Sequence, residues 1–210
     1  MDSSAASFEL SNHLKKAGGN FMRYMDLSIN MLAQVMRKEG KDLMKGKQRL
    51  YLQVGVIDIL RLFGNNTDQK YLTLEELTNR YENMLTDVRS LNQNIYIILG
   101  AVLPVVSLQY SAEVNKFVNQ LNSMIRYIAS KNEKVVFAPV AKLFKREGKP
   151  YVSLFEDVFP NKYGFQLLAD GVRRATSWPE IFDALCSSQR QKLKEKSVRE
   201  QVEFTIKNVF

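Results

Sequence analysis

The sequence holds one cysteine, Cys186, and one histidine, His13, among 210 residues. A lone cysteine excludes an intrachain disulfide and fits a reducing compartment. Without a cysteine pair and with a single imidazole, the ligands of a structural zinc site are missing, and neither a metal nor a cofactor is expected. No apolar run reaches the roughly 18–20 residues that cross a bilayer. Met1-Asp2-Ser3-Ser4 carries neither the basic stretch nor the apolar stretch of a secretory signal. These absences point to the cytoplasm. Repeats at a fixed period and low-complexity tracts are also missing, which argues against a repeat architecture.

What is present reads as a globular domain. Hydrophobic residues make up 45% of the chain and charged residues 25%, ordinary proportions for a packed α/β core. The net charge of +8 and the pI near 9.5 suggest an acidic partner, nucleic acid or an anionic membrane face.

Periodicity divides the chain into alternating elements. A first helix is expected over Ala5–Lys16, with Asp2, Ser3 or Ser4 as N-cap and Gly18-Gly19 as its stop. Phe21, Met25, Ile29, Leu32 and Met36 form the apolar stripe of a second helix, to about Lys38. A polar, basic surface connector, Arg37–Arg49, follows. Leu50–Leu60 (LYLQVGVIDIL) then reads as a buried parallel strand that delivers Asp58 to a crevice. Gly64-Asn65-Asn66-Thr67-Asp68 is turn chemistry, and Thr73 with Glu76 makes a capping box that opens a helix to Leu91. Ile95–Val106 is a second strand, Ser111–Ser130 a long helix and Lys134–Pro139 a third strand. An irregular segment spans Tyr151–Asn161, with helices over Lys162–Thr176 and from Trp178 to Cys186. The expected fold is α/β: a three-layer sandwich of a mostly parallel sheet with helices on both faces. Residues 1–186 form that domain, and 187–210 form a basic C-terminal extension.

Three short segments fall in the order of a hydrolase site. Strand with Gly-x-x-Asp, strand, strand, then LFEDVFPNKYGFQLLADGV (Leu154–Val172) resembles the SGNH, or GDSL-type, hydrolases. The likeness implies an SGNH/flavodoxin-like sheet. It also implies a nucleophilic serine in a first block, a glycine and an asparagine as oxyanion donors, and a late Asp-x-x-His. Matched residue by residue, the first block is Met1-Asp2-Ser3, with Met1 in place of glycine, and its strand would precede residue 1. Gly19 stands for the second block. Ile57 stands where the asparagine belongs, Glu156 where the aspartate belongs, and Phe159 where the histidine belongs.

Isoleucine cannot donate to an oxyanion, and losing one such donor costs about 3–4 kcal/mol of transition-state stabilisation. Without a base of near-neutral pKa a serine hydroxyl stays protonated. Triad members act as a unit, so one loss already removes most of the rate advantage. The expected site is a degenerate one, with Ser3, Gly19, Ile57, Glu156 and Phe159 in the family's positions and no catalytic residue. Ile57 and Phe159 are expected to pack together in the closed crevice.

Within that family the sequence is similar to the non-enzymatic OSK domains of insect germ-plasm proteins. The shared features are Gly55-Val56-Ile57-Asp58-Ile59, Asn161-Lys162-x-Gly164 and a basic balance. The esterase-like domains of some retrotransposons are a second point of resemblance. The OSK likeness implies RNA binding in a ribonucleoprotein granule. The basic candidates for RNA phosphates are Arg173, Arg174, Lys192, Lys194, Lys196 and Arg199, with the connector Arg37–Arg49 as a further patch. Two alternatives stand beside this: an esterase using Ser3 or another serine with Glu156 as base, and a scaffold domain that docks protein partners. Convergence of the late helix, the connector and the tail on one face would favour RNA.

Overall fold

The computed structural model describes residues 28–63, 73–106, 111–146, 149–156, 159–187 and 189. The expected first helix, the 64–68 turn and all of the C-terminal extension but residues 187 and 189 lie outside the described residues.

Helix α1 (Ile29–Met44) starts at Ser28, whose hydroxyl accepts from the Met31 amide at 3.3 Å. It buries Ile29, Leu32, Ala33, Met36, Gly40 and Met44 on one stripe. The helix therefore runs through the first part of the expected connector. Gly40 does not break it, because the position is a contact: a β-carbon there would lie 2.5 Å from Leu91 Cδ1. The chain turns instead at Gly46, whose φ of 68° suits glycine.

Strand β1 (Arg49–Leu52) is shorter than Leu50–Leu60. The chain leaves the sheet at Gln53, turns at Gly55 (φ 117°) and continues as helix α2 (Val56–Phe63). The expectation of one long strand is corrected here. A short buried apolar run has no period that separates strand from helix, and Gly55 is the joint between the two. Helix α3 (Leu74–Leu91) begins in the capping box as expected: the Glu76 amide donates to Thr73 Oγ1 at 3.1 Å, and the Thr73 amide to Glu76 Oε2 at 2.7 Å.

Strand β2 (Tyr96–Gly100), helix α4 (Ser111–Lys131) and strand β3 (Val135–Ala138) follow. Ala101–Val106, expected as strand, lies beyond the sheet pairing. Its backbone is tied to α4 by two asparagine side chains. Asn122 Oδ1 accepts from the Val102 amide at 2.7 Å while its Nδ2 donates to Val102 O at 2.9 Å. Asn115 does the same for Val105, at 2.9 and 2.6 Å. The spacing fits, since three extended residues and seven helical residues each advance about 10 Å.

Among the described residues the main sheet has the order β1-β2-β3, with both pairs parallel. Alternate side chains feed two cores. Leu52, Ile97, Leu99 and Val135 join helices α1–α4 on one face. Ile98, Val136 and Ala138 face the other way, with Tyr51 and Tyr96 packed beside them. The chain reaches that second face after β3, through a 3-10 turn (Val140–Phe144) and two short antiparallel ladders. These ladders are β4 (Lys145–Arg146) with β5 (Lys149–Pro150), and β6 (Phe155–Glu156) with β7 (Phe159–Pro160). Helix α5 (Lys162–Ala175) and a helix over 178–187, α6, then cover it with Phe165, Leu168, Ala169 and Ile181. The result is the three-layer α/β sandwich, with helices on both faces of a parallel sheet.

Candidate functional site

Open parallel sheets place ligands beyond the carboxyl ends of their strands. At that edge Gln53 Nε2 donates to Ala101 O at 2.7 Å and ties the end of β1 to the end of β2. The Tyr81 hydroxyl donates to Val54 O from inside the core, where burial pushes its pKa well up. Gly55 sits between these, and a β-carbon there would lie 3.3–3.4 Å from Leu121, Tyr81 and Val102. Ile57 is buried in the first turn of α2.

Asp58 is not at the end of a strand. It lies on α2, 1% exposed, and its Oδ2 accepts from the Ile29 amide at 3.0 Å. Arg80 Nη1 stands 3.3 Å from Oδ1. The carboxylate thus satisfies an open N–H at the start of α1 and docks that helix. Burial raises its pKa, while the Ile29 amide and Arg80 pull the other way.

The late block folds as a corner. Glu156 and Phe159 are cross-strand partners of the β6–β7 ladder, with Glu156 exposed and Phe159 half-buried. Asn161 caps α5, accepting from the Tyr163 and Gly164 amides at 3.1 Å each, and donates to Ser153 O at 2.7 Å. A β-carbon at Gly164 would lie 2.2 Å from Leu154 O, so the helix approaches as closely as glycine permits. The Pro160-Asn161…Gly164 pattern is therefore explained by packing. Ser3, His13 and Gly19 lie outside the described residues, so of the expected site positions Ile57, Glu156 and Phe159 can be placed. Among the described residues no three His, Cys, Asp or Glu side chains group to hold a metal, and no helix is long and apolar enough to cross a membrane.

At the opposite edge of the sheet, basic residues meet aromatic ones. Arg49, the first residue of β1, donates through Nη1 to Thr176 O at 2.5 Å, just past the end of α5. Its guanidinium carbon lies 4.9 Å from the Trp178 ring centroid, within cation–π range. Trp178 and Phe182 stack at 5.7 Å, and Tyr96 meets Trp178 edge-on at 5.1 Å. Arg173 and Arg174 are exposed on the last turn of α5. Arg173 pairs with Asp170 at 2.7 Å, and Arg174 Nε reaches Asp170 O at 3.4 Å.

The end of the connector and the end of the late helix thus come together. Arg37, at the other end of the connector, does not join them; it pairs with Asp87 of α3 at 2.8 Å. Lys192, Lys194, Lys196 and Arg199 lie outside the described residues. Sequence reasoning missed the aromatic ladder, although Trp178 and Phe182 stand four apart at a helix start and so share a face.

No protein-family model matches the chain, and no curated protein matches its sequence. Solved structures do match. A GDSL-like lipase from Bacteroides thetaiotaomicron superposes with a TM-score of 0.65 at 16% identity, over 82% of this chain and 82% of that one. An alpha/beta hydrolase enzyme from the metagenome of Lake Arreo, Spain, gives 0.61 at 15%, over 82% and 79%. A catalytic mutant of an acetylxylan esterase from Geobacillus stearothermophilus gives 0.56 at 17%, over 74% and 68%. At these identities the likeness is one of fold: the chain has the α/β architecture of SGNH-like hydrolases.

Proposed function

We propose that this chain is a non-catalytic SGNH-like domain that binds RNA through the basic face around Arg49, Arg173 and Arg174. The observation that carries this is the Arg49–Thr176 hydrogen bond. It brings Arg49, at the end of the connector, to the end of the late helix that carries Arg173 and Arg174. The net charge of +8 favours a polyanion. Lys192, Lys194, Lys196 and Arg199, later in the sequence, add to the chain's positive charge. The absence of catalysis is argued from side-chain chemistry. Ile57 has no donor for an oxyanion and Phe159 has no basic atom. The OSK likeness agrees with RNA binding, but two of its features, Asp58 and the Asn161…Gly164 corner, are accounted for by packing.

The test compares wild type with an Arg49→Ala, Arg173→Ala, Arg174→Ala variant. Affinity for single-stranded RNA is measured against salt, and short acyl esters are assayed alongside. Wild type is expected to bind with log affinity falling linearly in log salt, and the variant's slope to be shallower by about two, since each phosphate contact in single strands contributes about 0.7. Neither protein is expected to turn over ester above background. Ester turnover lost on Ser3→Ala, or RNA affinity with no salt slope, overturns the proposal.

A further inference from the structure

We infer that the ring of Phe182 is a stacking platform for an unpaired base, so that the basic face takes single-stranded RNA in preference to duplex. This rests on the RNA-binding reading above and specifies the form of the nucleic acid. Phe182 is a large apolar residue left 50% exposed, and it stacks on Trp178, the ring that Arg49 lies over. One face of its ring lies on Trp178, with the planes 22° apart, and Tyr96 meets it edge-on at 6.3 Å. The half that stays exposed is open to a further planar partner.

A ring held this way is preorganised. Tyr96 and Trp178 already fix its position, so little side-chain freedom is lost when a planar partner adds to the stack. Arg49 lies over the Trp178 ring of the same ladder, 4.9 Å from its centroid. Arg173 and Arg174 are exposed on the last turn of α5, the turn that ends at Thr176, whose carbonyl Arg49 holds, and are the candidates to meet the phosphates flanking the stacked base. Exposed aromatics interleaved with cations suit unpaired bases, because every base offers a π-face and only an unpaired base can swing out to use it. A duplex keeps its bases stacked internally and would use the arginines alone.

The experiment measures fluorescence anisotropy with a short unstructured RNA and with its blunt duplex. The proteins are the full chain as wild type, Phe182→Leu, Phe182→Tyr, and Arg173→Ala with Arg174→Ala. Circular dichroism and thermal unfolding check that each variant folds. Leucine keeps apolar area without a π-face, whereas tyrosine keeps the ring.

Wild type is expected to prefer the single strand. Phe182→Leu should weaken single-strand binding about tenfold, the scale of one stacked base, with the salt slope unchanged. Phe182→Tyr should bind like wild type. The arginine variant should lose salt slope for both RNAs. Salt-dependent binding that is indifferent to Phe182→Leu, or equal for duplex and single strand, overturns the stacking role and leaves the basic face standing. So does Phe182→Leu acting only on self-association in light scattering. Failure of wild type to bind either RNA overturns both readings together.

Discussion

The carboxylate of Asp58 is 1% exposed and has two partners, the Ile29 amide and Arg80. Removing it leaves a buried N–H without an acceptor and a half-buried guanidinium without its counter-ion. Asp58→Ala is therefore expected to destabilise the fold by about 2–3 kcal/mol, checked by urea unfolding. The group also links stability to pH. Burial raises its folded pKa above the unfolded value of about 3.9. The folded state then holds the proton more tightly, so this contribution is complete below about pH 4 and is lost as pH rises through the folded pKa. Relative to Asp58→Asn, which does not titrate, wild type should gain stability as pH falls from 7 toward 4. A constant difference across that range would contradict the raised pKa. At this scale the sequence was informative but ambiguous: Gly55 and Asp58 stood out as hydrolase marks, and both are accounted for by packing.

Among the elements, α4 and the extended Ala101–Val106 segment depend on each other. Asn115 and Asn122 supply a donor and an acceptor each, and so replace a missing neighbouring strand for Val102 and Val105. Asn122→Ala removes both partners from Val102 at once. It should cost about 2 kcal/mol in chemical denaturation, two hydrogen bonds at about 1 kcal/mol each, whereas Asn119→Ala on the same helix should cost little. This strap was not legible in the sequence, where Ala101–Val106 reads as more strand and no local rule pairs it with Asn115 or Asn122. Helix α3 was legible, because its capping box is local. Leu50–Leu60 was half-legible: the apolar run was right for burial, but only Gly55 hinted that strand gives way to helix.

For the whole molecule, alternation of side chains along β1, β2 and β3 fills two cores and makes the sandwich. That pattern was readable, since each strand and each amphipathic helix carries its own period. The basic face was readable only as separate clusters. Its key contact joins Arg49 to Thr176, 127 residues apart, and no local rule gives such a pairing. The aromatic ladder of Tyr96, Trp178 and Phe182 depends on the same long-range meeting of β2 with α6.

The chain has one tryptophan, and it lies in that ladder, which gives the proposed interface its own reporter. The most direct test titrates single-stranded RNA into wild-type protein and follows Trp178 emission at low and high salt. The account predicts quenching that saturates with RNA at low salt and weakens steeply at high salt, because binding and stacking occur beside this ring. RNA that binds by anisotropy while Trp178 emission stays constant would contradict it, and so would emission that is unchanged because no RNA binds.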